Sequence, residues 1–369
     1  MKIIYITRAR IPSQSASSVN IIQSCEAMAN LGFDVTIACP FKLNAPLAAS
    51  VNISKFYGVN KNFRVVRFVQ FFPNGRLFND WTVRYCRRHE ALLYSRDLDV
   101  LSKAVSMNIP CLWECHVPPL DNAAWLIAKT LATSSLCRKF VTISASLKQR
   151  LIEGLGTVAT EIVVAHDSVK PDRFNETYRN ALALKKKLSV GYIGSFNPGK
   201  GMEIIPKLAG MTPDIVYHVY GGEPTVVGRL KKHWESLSNL KFHGFVEPSD
   251  LPKVMESFDI GLLPNKPRVF VGNNVDIGQY TSPMKLFEYM ASGKVVLASD
   301  LSILREVVRP GENGLTARYD DARDWAERIR QICDNEKLRI SLIKTARVEA
   351  ETIYSYDVRF RRILDGLIG

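Results

Sequence analysis

The most informative stretch of the sequence is Tyr280-Thr281-Ser282-Pro283-Met284-Lys285-Leu286-Phe287-Glu288-Tyr289-Met290-Ala291-Ser292-Gly293. A polar segment here runs into an amphipathic helix whose apolar positions, Leu286, Phe287 and Met290, are expected to face inward. The free N–H groups at a helix N-terminus attract anions such as a pyrophosphate. Glu288 lies about one turn into the helix, where a carboxylate can accept hydrogen bonds from both hydroxyls of a ribose. The simpler interpretation is that Glu288 is only a favourable acid in the first turn.

A second informative segment, residues 194–201, is a glycine-bearing loop between a predicted strand at 188–193 and a predicted helix at 202–208. It is not a Walker loop, because its lysine is not followed by Ser or Thr after the spacing Gly-x4-Gly-Lys. Lys200 nevertheless supplies the flexible point charge that suits a diphosphate. Taken alone, this loop is weak evidence for a phosphate site.

Strands and helices alternate in two successive units, which predicts parallel sheets covered by helices on both faces. The predicted strands of the first unit are 3–7, 35–39, 65–69, 111–113, 140–143 and 161–165. The second unit repeats the pattern with strands at 188–193 and 215–220. The fold class is therefore α/β, with two doubly wound Rossmann-like domains that are expected to face one another across a cleft. We predict domains at 1–183 and 184–353, a linker at 177–187, and a C-terminal helix at 354–369 that returns to the first domain.

In this order, the segments resemble glycosyltransferase family 4, the large retaining family of the GT-B type, and the resemblance covers nearly the whole chain. The family's helix usually opens with Glu, seven residues and a second Glu, which grips the ribose. Glu288 matches the second acid, whereas Tyr280 stands in place of the first, which touches the donor sugar. A sub-branch of the family instead reads Ser-Pro-hydrophobic-Lys-Leu-Phe-Glu-Tyr-Met, and residues 282–290 fit this variant closely. The family's phosphate loop carries an Arg where Ser195 stands here, and Lys285 is a conjectured replacement for it.

The resemblance implies a donor site that contacts the base, ribose, phosphates and sugar. Its residues are Gly194, Ser195, Lys200, Phe245, Val246, Tyr280, Thr281, Ser282, Met284, Lys285, Leu286 and Glu288. Phe245 and Val246 would form the wall of the base pocket, although by themselves they read as core strand residues. We predict that no cofactor beyond the nucleotide-sugar co-substrate and no metal site is needed.

The segment Trp113-Glu114-Cys115-His116 ends a predicted strand, and strand C-termini face the crevice in such sheets. A lone histidine is more often structural, but the family places a His after Glu-x here, in contact with the donor sugar. The predicted catalytic residues are His116, Lys200 and Glu288. The predicted acceptor-side residues are Ser15, Ser17, Ser18, His116 and Asp121. Ser17 or Ser18 is expected to cap the helix that follows the first loop.

The net charge of +13 is unevenly distributed, because residues 1–183 hold 22 Lys and Arg against 13 Asp and Glu. Such a field favours phosphates, anionic lipid surfaces or nucleic acid, or is simply a solvated basic face. The basic aromatic run 81–89 and the apolar run 123–131 suggest contact with an anionic membrane, although the second is as well explained by a core helix. No apolar run reaches the length of a membrane span, and we expect no signal peptide. Seven scattered cysteines suggest reduced thiols in a cytoplasmic protein.

The function predicted is retaining transfer of a sugar from a nucleotide diphosphate, UDP or GDP, to a glycan or lipid-linked saccharide, as in bacterial cell-surface polysaccharide or glycolipid synthesis. A GT-B sugar-nucleotide 2-epimerase is an alternative, but we find no additional acids and histidines for proton transfer. A nucleic-acid-binding protein lacks a recognisable binding motif, and a nicotinamide dehydrogenase lacks Gly-x-Gly-x-x-Gly after the first strand. We discount Asp97-Leu98-Asp99 as a metal-binding pair, because acids are favoured at the start of a helix.

Overall fold

The computed structural model describes residues 1–41, 51–60, 62–69, 75–156, 158–183, 185, 187–272 and 274–367. The chain divides into two compact units. One consists of Met1–His166 together with the segment from Tyr356 onward, and the other of Asp167–Ser355. Positions 184 and 186 of the predicted linker lie outside the described residues. The basic run at positions 185–187, within this linker, is therefore only partly described.

The first unit alternates strands and helices along its whole length. Its described strands are β1 (Lys2–Ile6), β2 (Asp34–Phe41), β3 (Arg64–Val69), β4 (Leu92–Ser95), β5 (Cys111–Cys115), β6 (Cys137–Thr142) and β7 (Glu161–Val164). Its helices are α1 (Ala16–Asn30), α2 (Ile53–Tyr57), α3 (Arg76–Arg88), α4 (Leu98–Ser106), α5 (Asn122–Thr133) and α6 (Ala145–Leu155).

These strands form a parallel sheet in the order β3-β2-β1-β4-β5-β6-β7. The order reverses between β1 and β4, and this is the point where ligands bind in doubly wound sheets. Helices α3, α4, α5 and α6 pack side by side as one layer. The other face carries α1, which packs against the last helix of the chain, Tyr356–Leu364.

The second unit repeats the alternation. Its described helices are α7 (Asn175–Ala181), α8 (Ile205–Met211), α9 (Pro224–His233), α10 (Leu251–Met255), α11 (Met284–Ala291), α12 (Ser302–Arg305), α13 (Ala322–Asp334) and α14 (Glu336–Thr352), and the helix that returns to the first unit is α15 (Tyr356–Leu364). Its strands are β8 (Ser189–Ile193), β9 (Val216–Tyr220), β10 (Leu240–Gly244), β11 (Ile260–Leu263), β12 (Phe270–Val271), β13 (Val275–Asp276), β14 (Val295–Ser299) and β15 (Leu315–Ala317).

Six of these strands form a second parallel sheet in the order β10-β9-β8-β11-β14-β15, while β12 and β13 make a small antiparallel pair. Apolar cores lie on both faces of the six-stranded sheet, and the apolar side of α11 belongs to one of them through Leu286, Phe287 and Met290. The order of this sheet reverses between β8 and β11. The loop that was singled out in the sequence, residues 194–201, leaves β8 at this reversal.

The first unit ends at His166, earlier than the predicted boundary at 183. The intervening segment packs on the second unit, where Phe174 shares a core with α11. The guanidinium of Arg347 on α14 holds the same segment by donating to the carbonyl of Pro171 and to the side chain of Asn175. The position of the boundary therefore depends on packing partners that lie far along the chain.

Three local expectations need correction. Strand β4 was missed, because its four residues are too few to show a periodicity of their own. The segment predicted as one helix from 202 to 208 is a short 3-10 turn, Met202–Ile204, that runs into α8. Helix α1 is capped by Ser15, whose hydroxyl accepts a hydrogen bond from the N–H of Ser18, and not by Ser17 or Ser18.

Candidate active site

The loop after β8 is clamped against the segment that follows β11. Gly199 and Gly201 both have positive φ, and a Cβ there would lie 1.9 Å from the carbonyl oxygen of Arg268 and 1.7 Å from that of Pro264. The N–H of Lys266 donates to the carbonyl of Gly199 at 2.8 Å. Only glycine fits at these two positions. Lys200 is therefore held at the strand-order reversal by its neighbours on both sides.

The ammonium group of Lys200 is available for an anion. Its side chain is half-buried, and among the described residues it has no hydrogen-bond or ion-pair partner. Burial lowers the pKa of Lys200 from its ordinary value, because a low dielectric disfavours the charged form. A bound phosphate would reverse this effect by supplying the missing countercharge.

Helix α11 presents a second group of donors at the same sheet edge. The N–H groups of Met284 and Lys285 have no acceptor among the described residues, whereas that of Leu286 donates to the carbonyl of Pro283. The hydroxyl of Tyr289 accepts a 3.0 Å hydrogen bond from the N–H of Ile193 and so anchors the helix beside the end of β8. The helix whose first N–H groups can attract an anion is thus anchored to the strand from which the Lys200 loop leaves.

Glu288 is buried, with only 4% of its surface exposed. Its Oε2 lies 2.5 Å from Nζ of Lys285, which is 28% exposed. Lys285 thus forms an ion pair with Glu288, and its role as a replacement for the family's arginine stays a prediction. The side chain of Leu286 lies in the core, as its place on the apolar side of the helix predicted, so only its backbone can contribute to the donor site.

Two other predicted donor residues have structural partners. The hydroxyl of Ser282 accepts a 2.9 Å hydrogen bond from the N–H of Asp167, the first residue of the second unit. Thr281 is buried beside it. Tyr280, at the position of the family's first acid, is half-buried, and its N–H donates to the carbonyl of Ile277 at 2.9 Å.

The predicted base wall lies at the ends of β9 and β10. Phe245 is 49% exposed directly after β10, whereas Val246 is half-buried and packs on the core. The N–H of Gly194 donates to the carbonyl of Tyr220, which ties the start of the β8 loop to the end of β9. Ser195 is exposed at this edge. An exposed aromatic face here suits stacking with a nucleobase.

Asn265 was missed by the sequence analysis. It follows the end of β11, only 4% of its surface is exposed, and its Nδ2 has no hydrogen-bond partner among the described residues. A buried amide without a partner is costly. A polar residue shortly after the apolar run 260–263 was the available signal. Asn265 lies between Pro264 and Lys266, which both contact the Lys200 turn.

In the first unit, hydroxyl groups and an ion pair hold the first loop, which joins β1 to α1. The hydroxyl of Ser18 is fully buried and donates to the carbonyl of Arg10, and those of Ser13 and Ser15 lie 2.7 Å and 2.9 Å from it. Ser18 is therefore a structural residue, while Ser15 and Ser17 are exposed. Arg8 pairs with Asp97.

Asp97 and Asp121 each cap the N-terminus of a helix in the first unit. Asp97 accepts hydrogen bonds from the N–H groups of Asp99 and Val100 at the start of α4, which confirms the helix-start interpretation of this pair. Asp121 accepts from the N–H of Ala124 at the start of α5. The exposed carboxylate of Asp121 is therefore engaged by the backbone.

His116 lies directly after β5, as predicted, and is one-quarter exposed. Its Nε2 lies 2.7 Å from Oε1 of the buried Glu114. The same oxygen contacts Arg96, which follows β4 at the strand-order reversal and also approaches Ser17 at 3.5 Å. Arg96 thus joins His116 to the first loop. It was missed because the strand that positions it was missed.

The pair of Rossmann-like units is the architecture of the GT-B class of glycosyltransferases. Over all of this chain and 99% of its own, the Anabaena protein Alr3699/HepE, solved in complex with UDP and glucose, superimposes with a TM-score of 0.72 at 16% identity. WaaG, a glycosyltransferase involved in lipopolysaccharide biosynthesis, superimposes with a TM-score of 0.66 at 14% identity over 99% of this chain and 100% of its own.

Residues 174–349 match the family model described as Glycosyl transferases group 1, and the second unit accordingly carries a domain of that family. A phosphatidyl-myo-inositol mannosyltransferase of Mycolicibacterium smegmatis is 28% identical over 180 residues, which are 46% of this chain and 41% of that protein. The chain spans roughly a third to a half of the length of the curated relatives that it matches.

Proposed function

We propose that the chain is a retaining glycosyltransferase that moves a sugar from a nucleoside diphosphate to a saccharide acceptor. One observation carries the proposal. At the carboxyl edge of the second sheet, the Lys200 ammonium and the N–H groups of Met284 and Lys285 have no described partner, and they lie on two elements joined by the Ile193–Tyr289 hydrogen bond. A diphosphate is the ligand that satisfies such a set of donors.

The rest of the donor fits around this diphosphate. Phe245 offers an exposed ring for the base, and Glu288 offers a carboxylate for the ribose hydroxyls. The amide of Asn265 is positioned to donate to an oxygen of the donor when the loops adjust on binding. We infer a uridine nucleotide as the base to test first, because the structurally similar Alr3699/HepE was solved with UDP.

The proposed retention proceeds by attack on the front face of the sugar, without a covalent intermediate. The carboxylate of α11 is assigned to the ribose, so no acid is left there to act as a nucleophile. Instead, the acceptor hydroxyl enters on the face that the diphosphate leaves and passes its proton to a phosphate oxygen. Lys200 and the start of α11 stabilise the charge that develops on the leaving group, which is the task that a metal ion performs elsewhere.

The acceptor is proposed to be a glycan or lipid-linked saccharide of a bacterial surface polymer or glycolipid. The relatives support this class, because one is a mannosyltransferase named for phosphatidyl-myo-inositol and another structural neighbour is involved in lipopolysaccharide biosynthesis. His116 and Ser17, at the carboxyl edge of the first sheet, would contact the sugars.

Helix α3 supplies a surface for an anionic membrane. Leu77, Trp81, Arg84 and Arg88 recur at helical spacing and are all exposed, with Leu77 at 44% and Trp81 at 38%. Tyr85, which we expected among headgroups, instead packs against Phe68 in the fold. None of the helices in the described ranges is both long and apolar enough to span a bilayer, so binding would be interfacial.

The apolar run 123–131, which was also suggested to contact a membrane, packs partly against a neighbouring helix. Trp125 of α5 packs over Gly154 and under the guanidinium of Arg150, both on α6. Its ring therefore belongs to the helix layer. Leu126 is 68% exposed on the same helix and Lys129 is exposed as well, so these two residues of the run remain available to a lipid surface.

The experiment that tests the function is a thermal-shift panel of UDP, GDP, ADP and their sugar conjugates, followed by turnover with the stabilising donor. A ligand that binds the native state raises the unfolding temperature by mass action. We expect one base to stand out, and slow release of its diphosphate without an acceptor. Absence of stabilisation by every nucleotide would overturn the proposal, as would recovery of an epimerised free sugar nucleotide.

A further inference from the structure

Both oxygens of the buried carboxylate of Glu114 are occupied by donors from separate elements. Its Oε1 lies 2.7 Å from Nε2 of His116, 2.9 Å from Nη2 of Arg96 and 3.1 Å from Nη2 of Arg359. Its Oε2 accepts a 2.7 Å hydrogen bond from the hydroxyl of Tyr94. The donors come from β4, the residue after β4, the residue after β5 and α15. The orientation of this carboxylate is thus fixed from four directions.

The charge state of Glu114 follows from the same contacts. Burial alone would raise its pKa, but Arg96, Arg359 and the hydrogen bond from His116 outweigh burial and hold the pKa of Glu114 well below its usual range. Burial also raises the pKa of Tyr94 well above its usual range, so its hydroxyl keeps its proton and donates. An ionised carboxylate can only accept hydrogen bonds.

We propose that Glu114 fixes His116 as the tautomer protonated on Nε2, and that Arg359 is a positioning residue that keeps Glu114 in this role. A neutral imidazole that donates from Nε2 has its lone pair on Nδ1. The Nδ1 atom of such an imidazole can accept a hydrogen bond from a ligand but cannot donate one. This inference rests on the proposed function in one respect, namely that the group that donates a hydrogen bond to Nδ1 of His116 is a hydroxyl group of the sugar.

The position of Arg359 gives the contact a second consequence. Its guanidinium donates through Nε to the carbonyl of His166 at 2.9 Å and through Nη2 to that of Ala165 at 3.3 Å. These are the last two residues before the chain enters the second unit, and α15 begins where the chain returns. The Arg359 side chain thus links the carboxylate that orients His116 to the segment where the chain leaves the first unit, and Arg359 itself lies on the helix where the chain returns.

A purely structural ion pair explains this arrangement less well. Arg96 alone balances the charge of Glu114, and a second buried guanidinium, with Arg359 only 3% exposed, carries a desolvation cost. The guanidinium of Arg359 instead contributes to the orientation of the Glu114 carboxylate. It keeps Oε1 ionised and aligned with Nε2 of His116 even though Arg96 also donates to Asn20.

The direct test is nuclear magnetic resonance of the full chain labelled with ¹⁵N-histidine, at a mildly alkaline pH where imidazoles are neutral. His116→Gln identifies the signals of His116 among the six histidines. We expect Nε2 to carry the proton and Nδ1 to show the shift of an unprotonated nitrogen. The opposite tautomer in the wild-type protein overturns the proposal without any variant.

Variants then test Arg359. Arg359→Gln should give mixed tautomers and lower kcat about tenfold while the donor KM changes less than about twofold, since an orienting contact acts on the reacting geometry. Arg359→Lys should restore most of both. The matched control is Arg339→Gln, another buried arginine that donates to the carbonyl of Ala181 in the second unit.

The outcomes separate the two proposals. If Arg359→Gln leaves both the tautomer and kcat as in the control, the positioning role is wrong. Should Arg359→Gln fail to fold, Glu114→Gln replaces it, and a single Nε2-protonated form with unchanged kcat in that variant would overturn the role. If the wild-type protein transfers no sugar while the tautomer is as expected, only the proposed function fails.

Discussion

The ammonium of Lys285 lies 2.5 Å from Oε2 of Glu288, three residues along α11. This pair compensates the charge of a nearly buried carboxylate. We therefore expect donor binding to exchange the contact, with the ribose hydroxyls taking up Glu288 and the phosphates attracting Lys285. Such an exchange limits the cost of keeping an ionised carboxylate at the site.

The first prediction concerns Glu288 itself. Glu288→Ala should weaken binding of the correct nucleoside diphosphate about 10- to 150-fold, because a charge-assisted hydrogen bond contributes roughly 1.5–3 kcal/mol. The fold should persist, since Lys285 is partly exposed and can be rehydrated. Calorimetry measures the affinity, and Glu327→Ala, an exposed acid on α13, is the control. Equal affinities in both variants would remove Glu288 from the donor site.

The second prediction concerns the pH dependence of donor binding through Lys200. Burial lowers its pKa in the free protein, whereas a bound diphosphate favours the ammonium form. Binding must therefore take up a proton once the pH exceeds the lowered pKa, and affinity must fall as the pH rises toward the ordinary lysine value of about 10.4.

Calorimetry in two buffers with different ionisation enthalpies measures this proton uptake. Lys200→Arg should bind with no such uptake, because arginine stays charged, and Lys200→Ala should lose about 10- to 150-fold in affinity. Proton uptake that persists in Lys200→Arg would mean that another group titrates on binding.

The third prediction concerns the reaction. The product should keep the anomeric configuration of the donor, and activity should survive in EDTA, because Lys200 and the start of α11 stabilise the leaving diphosphate. His116→Ala should lower turnover much more than nucleotide affinity. Product NMR and a metal-free assay measure these outcomes. An inverted linkage contradicts the retention mechanism, and complete inhibition by EDTA contradicts metal independence.

The fourth prediction concerns α3. Vesicles that contain phosphatidylglycerol should bind the protein at low salt and release it at high salt, because each basic residue near an anionic surface contributes about 1 kcal/mol that salt screens. Replacing Arg84, Arg87 and Arg88 with Ser should reduce binding without changing nucleotide affinity. The control replaces Lys231 and Lys232 of α9, which are basic but belong to the other unit. If the protein does not bind these vesicles at low salt, this prediction is wrong, and an acidic acceptor would explain the positive charge of residues 1–183 instead.

The fifth prediction concerns stability. Lys294 is 1% exposed, and burial lowers its pKa to about 8. A lysine whose pKa is lower in the native state destabilises the fold at neutral pH, and stability rises as the pH passes from about 8 toward the unfolded value of about 10.4. Lys294→Met should therefore stabilise the protein by up to about 3 kcal/mol at neutral pH and less in alkali. Denaturant unfolding across this range measures the difference, with the exposed Lys241→Met as control.

The sequence predicted much of the local architecture. Alternation of apolar runs and helical periodicity indicated parallel strands, and the residue order placed Lys200 after β8, His116 after β5 and Glu288 in α11. These features depend on neighbours within one or two turns of chain, where side-chain periodicity and free helix N–H groups act directly. For the same reason Asp97 could be interpreted as a helix-start residue from its position alone.

Only the tertiary structure decided which partners the site residues have. Ser282 turned out to hold the N–H of Asp167, and Arg359 to reach Glu114 across 245 positions of sequence. Nothing local distinguishes an arginine that binds solvent from one that is buried against a distant carboxylate. That choice is made when packing removes both groups from water, because a buried charge must then find the countercharge that the fold brings to it.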